Sequence, residues 1–412
     1  MKETDTEKMK ILHIATIDNG GAYKAAERFH RCLLQRGIGS KILVRTRLSE
    51  SDAEACFHNK AQALLSKGKN FINLLLSRGE IGRDLFGTDI SQKKIVQEAD
   101  LLVLHWINSF LSVKSLEKLF QLGKPIVFMM HDMWLFTGGC HVAGECRKYE
   151  KGCGKCPLIP SDREKDISAL NFREKKELFD GQGMVVTGPS PWIVECAQKS
   201  PVLKGKKIVC MPNMVDTRLF RPIEDRAGLR RRYGLPEDKK IILFGAADNG
   251  TENQYKGFAY LLGALKKLNP KQYHLAIFGN SSGNLGIPAH FGRTLLGYIQ
   301  KEEQMSEVYN LAHVYVTPSL QETFGFTVCE SMACGTPVVA FPLGGILSQI
   351  THGENGYLAK RKEEEDLAEG IMFCSENSKK LGAAARKSAE RFSFEAIGER
   401  YEKFLREICE KA

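Results

Sequence analysis

Two glutamates separated by seven residues form the pattern in this 412-residue sequence that says most about its chemistry. Glu322 and Glu330 flank the residues Thr-Phe-Gly-Phe-Thr-Val-Cys. An ionised carboxylate accepts hydrogen bonds, so one glutamate can hold hydroxyls of a sugar while the other holds a vicinal diol such as a ribose. Two acids at helical spacing more often mark a solvated helix face. The residues around the pair decide between these interpretations.

The pair lies in a segment with the pattern of a strand, a helix and a second strand. Val314–Thr317 has the apolar run of a buried strand, and a helical pattern extends over residues 325–333. Gly335 ends that helix, and Pro337–Phe341 begins another strand. Glu322 is thereby predicted at the carboxyl end of a strand, beside a helix N-terminus. Backbone N–H groups there can receive phosphate or sugar oxygens, namely those of Phe324, Gly325 and Phe326.

This segment resembles the signature of a known enzyme family. Pro318-Ser319 precedes the two glutamates, and Ala-Cys-Gly-Thr-Pro-Val-Val-Ala follows at residues 333–340. The pattern is similar to that of family 4 retaining glycosyltransferases. The resemblance implies the α/β architecture named GT-B, with two Rossmann-like, doubly wound parallel-sheet domains facing a central cleft. It also implies that Glu322 is catalytic and that Glu330, with the helix N-terminus, binds a nucleoside-diphosphate sugar.

A second match to the family follows the predicted strand Ile241–Gly245. Lys256-Gly257 corresponds to the Lys-Gly that holds the donor diphosphate in the family. Family members often carry Gly-Arg where this chain has Ala246-Ala247, so the usual partner arginine is missing. Diphosphate binding is therefore expected to depend either on Lys256 and helix N-termini or on an arginine from another part of the chain.

Further candidates follow predicted strands in the first half of the chain. Gly20 and Gly21 join a strand to a helix and can let the backbone approach the donor phosphates. His131 and Asp132 resemble the His-Asp of the family's acceptor side, which implies that His131 binds a donor-sugar hydroxyl and helps to polarise the reacting centre. His105 also follows a strand and is predicted to shape the acceptor side.

Strand and helix patterns alternate along both halves of the chain, which is typical of two parallel-sheet domains. We predict an acceptor-side domain over residues 1–213 and a sugar-nucleotide-binding domain over residues 214–393, with the connection in the polar stretch Pro212–Pro236. In the resembling family the last helix returns to the first domain, and residues 394–412 are expected to do this.

The resemblance implies a retaining transfer, in which the departing phosphate takes the proton of the acceptor hydroxyl. The chain contains no Asp-x-Asp sequence, so we expect catalysis without a divalent metal. Two other classes stay open: a sugar-nucleotide epimerase or hydrolase on the same fold, and a catalytically silent sugar-nucleotide-binding protein. An assay for conversion of the donor without an acceptor separates the first from a transferase.

Composition favours a cytoplasmic protein with anionic partners. The sequence has 43% hydrophobic residues, a formal net charge of +10, no apolar run of eighteen residues and a charged N-terminus. The charge suits nucleotide phosphates and an anionic membrane surface, and no nucleic-acid motif is present.

Two segments bear on the acceptor. Residues 59–79 interleave lysines with apolar side chains, which indicates either an amphipathic helix on the inner face of a membrane or a core helix with a basic edge. The stretch His131–His141 resembles a subset of family 4 enzymes that assemble bacterial surface polysaccharides. The resemblance implies a glycan or a lipid-linked glycan as acceptor.

Four cysteines within seventeen residues form a candidate structural zinc site: Cys140, Cys146, Cys153 and Cys156. Four thiolates can hold Zn²⁺ in a closed tetrahedral site that orders a glycine-rich loop. Only the last pair has the usual Cys-x₂-Cys spacing, and His141 could replace one thiolate. Free thiols or reversible disulfides are the alternatives.

Overall fold

The computed structural model describes residues 9–57, 81–82, 85–160, 162–246, 254–279, 285–360 and 362–411, with the single positions 68, 71 and 73. The chain divides into two compact units. The first contains Met1–Met214 and Gly398–Ala412, and the second contains Val215–Ile397.

Parallel strands form the sheet of the first unit. In chain order the described strands are β1 (Lys10–Ile17), β2 (Gly39–Thr46), β3 (Glu54–Ala55), β4 (Leu101–Leu104), β5 (Ile126–Met129), β6 (Met184–Gly188) and β7 (Lys207–Cys210). They lie in the order β3-β2-β1-β4-β5-β6-β7. The helices of this part are α1 (Gly20–Gln35), α2 (Lys94–Gln97), α3 (Val113–Phe120), α4 (Ile167–Phe179) and α5 (Pro191–Gln198).

A second parallel sheet forms the second unit. Its described strands are β8 (Lys240–Gly245), β9 (Tyr273–Phe278), β10 (Gly292–Gly297), β11 (Val314–Thr317), β12 (Val338–Ala340) and β13 (Gly356–Leu358). They lie in the order β10-β9-β8-β11-β12-β13. The helices are α6 (Arg226–Arg232), α7 (Phe258–Leu265), α8 (Glu302–Leu311), α9 (Phe326–Ala333), α10 (Glu364–Glu376), α11 (Ser378–Ala389) and α12 (Phe394–Cys409), which continues into the first unit.

Continuous apolar runs produce the central strands of both sheets. All residues of β4, β5 and β11 are buried, because helices cover both faces of a parallel sheet. The prediction of two Rossmann-like, doubly wound domains is confirmed. Strand β10 was not predicted, since its residues alternate between partial burial and exposure and it pairs only with β9 at the sheet edge.

The strand order reverses once in each sheet. The reversal lies between β1 and β4 in the first unit and between β8 and β11 in the second. Ligands of open α/β sheets bind outside the carboxyl ends of the strands at such a reversal. Each unit therefore has one position where its fold favours a ligand site.

No helix in the described part of the chain is long and apolar enough to cross a membrane. The predicted basic amphipathic segment, residues 59–79, lies largely outside the described residues. Its contact with an anionic membrane surface stays a prediction.

Candidate functional site

The reversal point of the second unit opens into a cavity of about 300 Å³. This volume falls at the lower end of the range for small-molecule sites, roughly 300–1,000 Å³. The carboxyl ends of β8 and β11 contribute Gly245 and Thr317, and the segments that follow them contribute Ala246, Lys256, Ser319, Glu322 and Thr327. The walls behind them are aromatic and aliphatic, with Phe244, Phe258, Leu261, Phe278 and Tyr315.

Lys256 and Glu322, two residues singled out in the sequence, meet at this cavity. Lys256 Nζ lies 2.8 Å from Glu322 Oε1, and the Ser319 hydroxyl donates to the same oxygen over 3.0 Å. The lysine side chain is 55% exposed and the glutamate 23%. An ion pair with this exposure contributes about 0–1 kcal/mol, so a stronger ligand can displace either partner.

A close backbone contact positions Lys256. Gly257 has φ +63°, and a Cβ atom at this residue would lie 1.9 Å from the carbonyl oxygen of Pro318. Next to this contact, the Leu320 N–H donates to the Tyr255 carbonyl oxygen over 2.7 Å. Glycine is therefore required after Lys256, because any side chain at this position would keep the loop away from the end of β11.

A second pair of glycines fixes the backbone of Glu322. The Gly345 N–H donates to the Glu322 carbonyl oxygen over 2.8 Å. A Cβ atom at Gly344, which has φ +52°, would lie 2.0 Å from that oxygen. Neither glycine was predicted to be part of the site, although a Gly-Gly pair shortly after a predicted strand is a signal of close backbone approach.

Glu330 does not line the cavity with Glu322. Its side chain is 1% exposed, and the Tyr309 hydroxyl donates to Oε2 over 3.0 Å. The proximity of this carboxylate is one reason, after burial itself, why the pKa of Tyr309 is raised well above its usual range. Binding of a ribose by Glu330 stays a prediction.

The three residues predicted at the helix N-terminus also lie outside the cavity lining. Gly325 precedes α9 with φ +87°, as expected for the start of the helix. The ring of Phe324 packs against Phe326 and Phe392, with ring centroids 5.5 and 5.6 Å apart. Thr327, in the first turn of α9, reaches the cavity instead. Donor binding by these three residues stays a prediction.

The described lining of the cavity contains one lysine and no arginine. The family often has arginine at the position of Ala247, which lies outside the described residues, and Lys256 is the one cation among the described residues that line the space. The Ala246 N–H donates to the Phe278 carbonyl oxygen over 2.8 Å. This bond holds the backbone after β8 close to β9. The approach is so close that a Cβ atom at Gly279 would lie 2.0 Å from the Ala246 carbonyl oxygen.

The reversal point of the first unit carries the predicted histidines. His105 and His131 follow β4 and β5 and, with Asp132, line a small cavity of about 20 Å³. His105 Nδ1 lies 2.9 Å from His131 Nε2. Burial lowers the pKa of His131 to about 4, so its imidazole is neutral at pH 7.

Three donors surround the carboxylate of Asp132. Its Oδ1 accepts the backbone N–H of Trp134 over 2.8 Å, and its Oδ2 accepts the indole N–H of Trp106 over 3.1 Å. His141 Nδ1 lies 2.7 Å from the same Oδ2. Asp132 thus organises the loop after β5, and its acceptor-side role stays a prediction.

Gly20 and Gly21 begin α1 after the carboxyl end of β1. Gly20 has φ +83°, and its N–H donates to the side chain of Asn19 over 2.7 Å. A Cβ atom at either glycine would meet no atom within 4 Å, so the start of the helix borders open space. Approach of a donor phosphate to this turn stays a prediction.

The four cysteines of the predicted zinc site line one cavity of about 20 Å³, enough for a single water molecule. All four are free thiols, and the Gly138 N–H donates to Cys153 Sγ over 3.2 Å. Burial raises the pKa of Cys153 to about 12, whereas Zn²⁺ binds the thiolate. Among the described residues no three Cys, His, Asp or Glu side chains are placed to hold a metal ion. Zinc therefore stays a prediction that requires the loop to close around the ion.

Metal analysis of protein purified without chelator tests the cysteine cluster. If the prediction is right, we expect about one zinc per chain, lost in the double variant Cys153→Ser, Cys156→Ser, because a structural site needs four ligands. Cys374→Ser is a matched control, since Cys374 is buried in the second unit. Stable, metal-free wild-type protein would contradict the zinc site and leave the other assignments intact.

Comparison with known proteins relates this geometry to an enzyme family. Residues 225–392 match the family model described as glycosyl transferases group 1. The second unit is similar to these enzymes. Over 213 residues the chain is 30% identical to a D-inositol 3-phosphate glycosyltransferase of Stackebrandtia nassauensis, an alignment that covers 46% of each protein. The chain spans about half the length of the curated relatives it matches.

Solved structures are similar over nearly the whole chain. Sucrose-phosphate synthase from Thermosynechococcus elongatus superposes with a TM-score of 0.67 at 19% identity and covers 98% of this chain and 100% of its own. Anabaena HepE in complex with UDP-glucose superposes with a TM-score of 0.67 at 17% identity and covers 97% and 100%. The prediction of a GT-B fold is confirmed.

Proposed function

We propose that the protein is a glycosyltransferase that moves a sugar from a nucleoside-diphosphate sugar to a glycan or lipid-linked glycan acceptor. The observation that carries this proposal is the cavity at the β8/β11 reversal, where one lysine and one glutamate converge on a space large enough for part of a sugar nucleotide. The family match of residues 225–392 supports it. The HepE structure with UDP-glucose makes this compound the first donor to test.

The Lys256–Glu322 pair suggests how the donor is received. On binding, the diphosphate takes Lys256 Nζ away from Glu322, because a diphosphate offers the ammonium group more charge than one carboxylate does. Glu322 then keeps the Ser319 hydrogen bond and accepts hydrogen bonds from hydroxyls of the sugar. The exchange costs little, since the lysine side of the ion pair is exposed to solvent.

The transfer step is proposed to retain the configuration at the anomeric carbon. The bond between this carbon and the phosphate oxygen breaks, the acceptor hydroxyl oxygen bonds to the carbon on the same face, and its proton passes to the departing phosphate. Lys256 stabilises the charge that develops on the diphosphate, as a preorganised cation does in a partly enclosed site. No divalent ion is assigned a role.

The acceptor is proposed from the first unit. The stretch His131–His141 resembles enzymes of bacterial surface polysaccharide assembly, which favours a membrane-associated glycan acceptor and a location at the cytoplasmic face of a membrane. His131 and His105 line the small cavity at the strand ends, where His131 is proposed to contact a substrate hydroxyl and His105 to shape the site.

Replacement of Lys256 by alanine tests the donor site. We expect Lys256→Ala to weaken binding of UDP and UDP-glucose about 10- to 100-fold, since a charged contact to phosphate is lost. Titration calorimetry with the intact protein measures this change. Lys266→Ala is the matched control, because Lys266 is an exposed lysine of the same unit at the end of α7, outside the cavity lining. Equal affinity in both variants would remove Lys256 from the donor site.

Turnover separates the transferase from the two alternatives. A transferase consumes the donor in step with formation of a glycosylated acceptor. Free sugar or an epimerised donor in the absence of acceptor would instead indicate a hydrolase or an epimerase. Donor binding without any conversion would support the silent binding protein, for which Ala247 in place of the family's arginine is the motivating observation.

A further inference from the structure

Three histidines form a hydrogen-bonded chain in the first unit. His13 lies on β1, and its Nδ1 is 2.9 Å from Nε2 of His105. His105 Nδ1 is in turn 2.9 Å from Nε2 of His131. The pairing of β1 with β4 brings His13 opposite Val103, two residues before His105, although 92 residues separate the two histidines in sequence.

All three imidazoles are neutral near pH 7. Burial lowers the pKa of His13 to about 3 and that of His131 to about 4, and it holds the pKa of His105 well below the usual range. A neutral imidazole has one N–H donor and one acceptor nitrogen. The two hydrogen bonds of the histidine chain therefore donate in the same direction, either toward His131 or away from it.

His13, at the inner end of the histidine chain, favours donation toward His131. His13 Nε2 is buried and has no hydrogen-bond partner. If the bonds ran away from His131, this atom would carry a buried N–H without an acceptor, and orphaned buried N–H groups are rare. If the bonds run toward His131, the proton of His13 lies on Nδ1 and is donated to His105.

The outer end favours the same direction. The carboxylate of Asp132 follows His131 directly and favours positive charge on its ring. N–H groups that all point from His13 toward His131 place the positive end of their aligned dipoles on the Asp132 side. Electrostatics at one end and hydrogen bonding at the other thus select one arrangement.

We propose that His13 and His105 hold His131 in the tautomer that carries its proton on Nδ1. His131 Nε2 accepts from His105, so Nδ1 can only donate. In the described part of the chain Nδ1 of His131 makes no hydrogen bond, and the residue lines the small cavity at the strand ends. The assignment of this donor to a substrate oxygen rests on the proposed function, and His13 and His105 are positioning residues for it.

Nitrogen-15 NMR of histidine-labelled protein at pH 7.5 tests the tautomers without substrate. Long-range couplings between ring nitrogens and carbon-bound protons show which nitrogen carries hydrogen in each ring. We expect protonated Nδ1 in His13, His105 and His131 of the wild type. A proton on Nε2 of His131 in the wild type would overturn the proposal, and this measurement needs no variant to fold.

Replacement of His105 then tests whether the chain causes the tautomer. In His105→Phe we expect His131 to become a mixture of both tautomers and kcat to fall about tenfold, with KM for the donor changed less than twofold. His30→Asn is the control, because His30 is buried near His13 but forms its hydrogen bond with Ser40 and not with the histidine chain. A single unchanged His131 tautomer in His105→Phe would overturn the causal role. Absence of transfer in the wild type would contradict the proposed function and leave the NMR result decisive for the tautomer.

Discussion

Glu322→Ala is expected to lower kcat/KM for sugar transfer by about 10- to 100-fold. The variant removes a carboxylate that is aimed into the cavity, and charged hydrogen bonds to hydroxyls contribute about 1.5–3 kcal/mol each. It also removes the Lys256–Glu322 ion pair, which is too exposed to contribute more than about 1 kcal/mol to folding. Steady-state kinetics with donor and acceptor measure the loss, and a thermal melt checks the fold.

Two further variants define what the carboxylate does. Glu322→Gln keeps an oxygen that can accept from the Ser319 hydroxyl, so a similar loss in this variant would assign the effect to the negative charge. Glu303→Ala is the control, because Glu303 is an exposed acid in the first turn of α8 in the same unit. Near-normal kinetics in Glu322→Ala would show that the cavity is not the donor-sugar site.

A corresponding experiment at Glu330 needs a different substitution. Alanine would leave the Tyr309 hydroxyl without its acceptor inside the core, at a cost of about 1–3 kcal/mol. Loss of activity in that variant would not distinguish ligand binding from folding. Glu330→Gln keeps an acceptor for Tyr309 and is the informative change.

His131→Ala is expected to lower kcat by roughly 10²-fold, with a smaller effect on KM for the donor. A hydrogen-bond donor that acts on the transition state affects turnover more than ground-state affinity. The variant also deprives His105 Nδ1 of its partner, so some stability is lost with it. Kinetics at saturating donor, together with donor affinity from calorimetry, separate the two effects.

A matched pair of variants supports this experiment. His131→Gln places an amide oxygen where it can accept from His105, and it should recover stability more than turnover. His141→Ala removes a neighbouring histidine that contacts Asp132 rather than the histidine chain. An unaltered kcat in His131→Ala would leave His131 as a structural residue of the loop after β5.

The strands that carry the candidate site could be predicted closely from the sequence. Val314–Thr317 was predicted with its observed bounds, and Ile241–Gly245 lacked only its first residue. These strands are buried on both faces, so each has a short continuous apolar run rich in β-branched and aromatic residues, and its length and flanking residues distinguish it from a buried helix. Residues that follow such strands must lie at one edge of the sheet, which is why Glu322 and His131 could be singled out.

The pairing of these residues depended on the tertiary structure. Lys256 and Glu322 are 66 residues apart, and their contact requires β8 and β11 to be neighbours and Gly257 to touch Pro318. Glu330 points to Tyr309 of α8 rather than into the cavity, because the packing of α9 against α8 turns that face inward. Local spacing placed both glutamates on one segment and could not show which of them faces the ligand.

The sequence by itself determined the fold class, the strand ends that carry polar residues and the resemblance to glycosyltransferases. All three depend on local apolar periodicity and short motifs. Only the tertiary structure decided that His13 joins His105 and His131, that Gly344 and Gly345 fix Glu322, and that the four cysteines share one cavity. Such contacts depend on strand order and on the register of distant segments, and neither is encoded in the spacing of neighbouring residues.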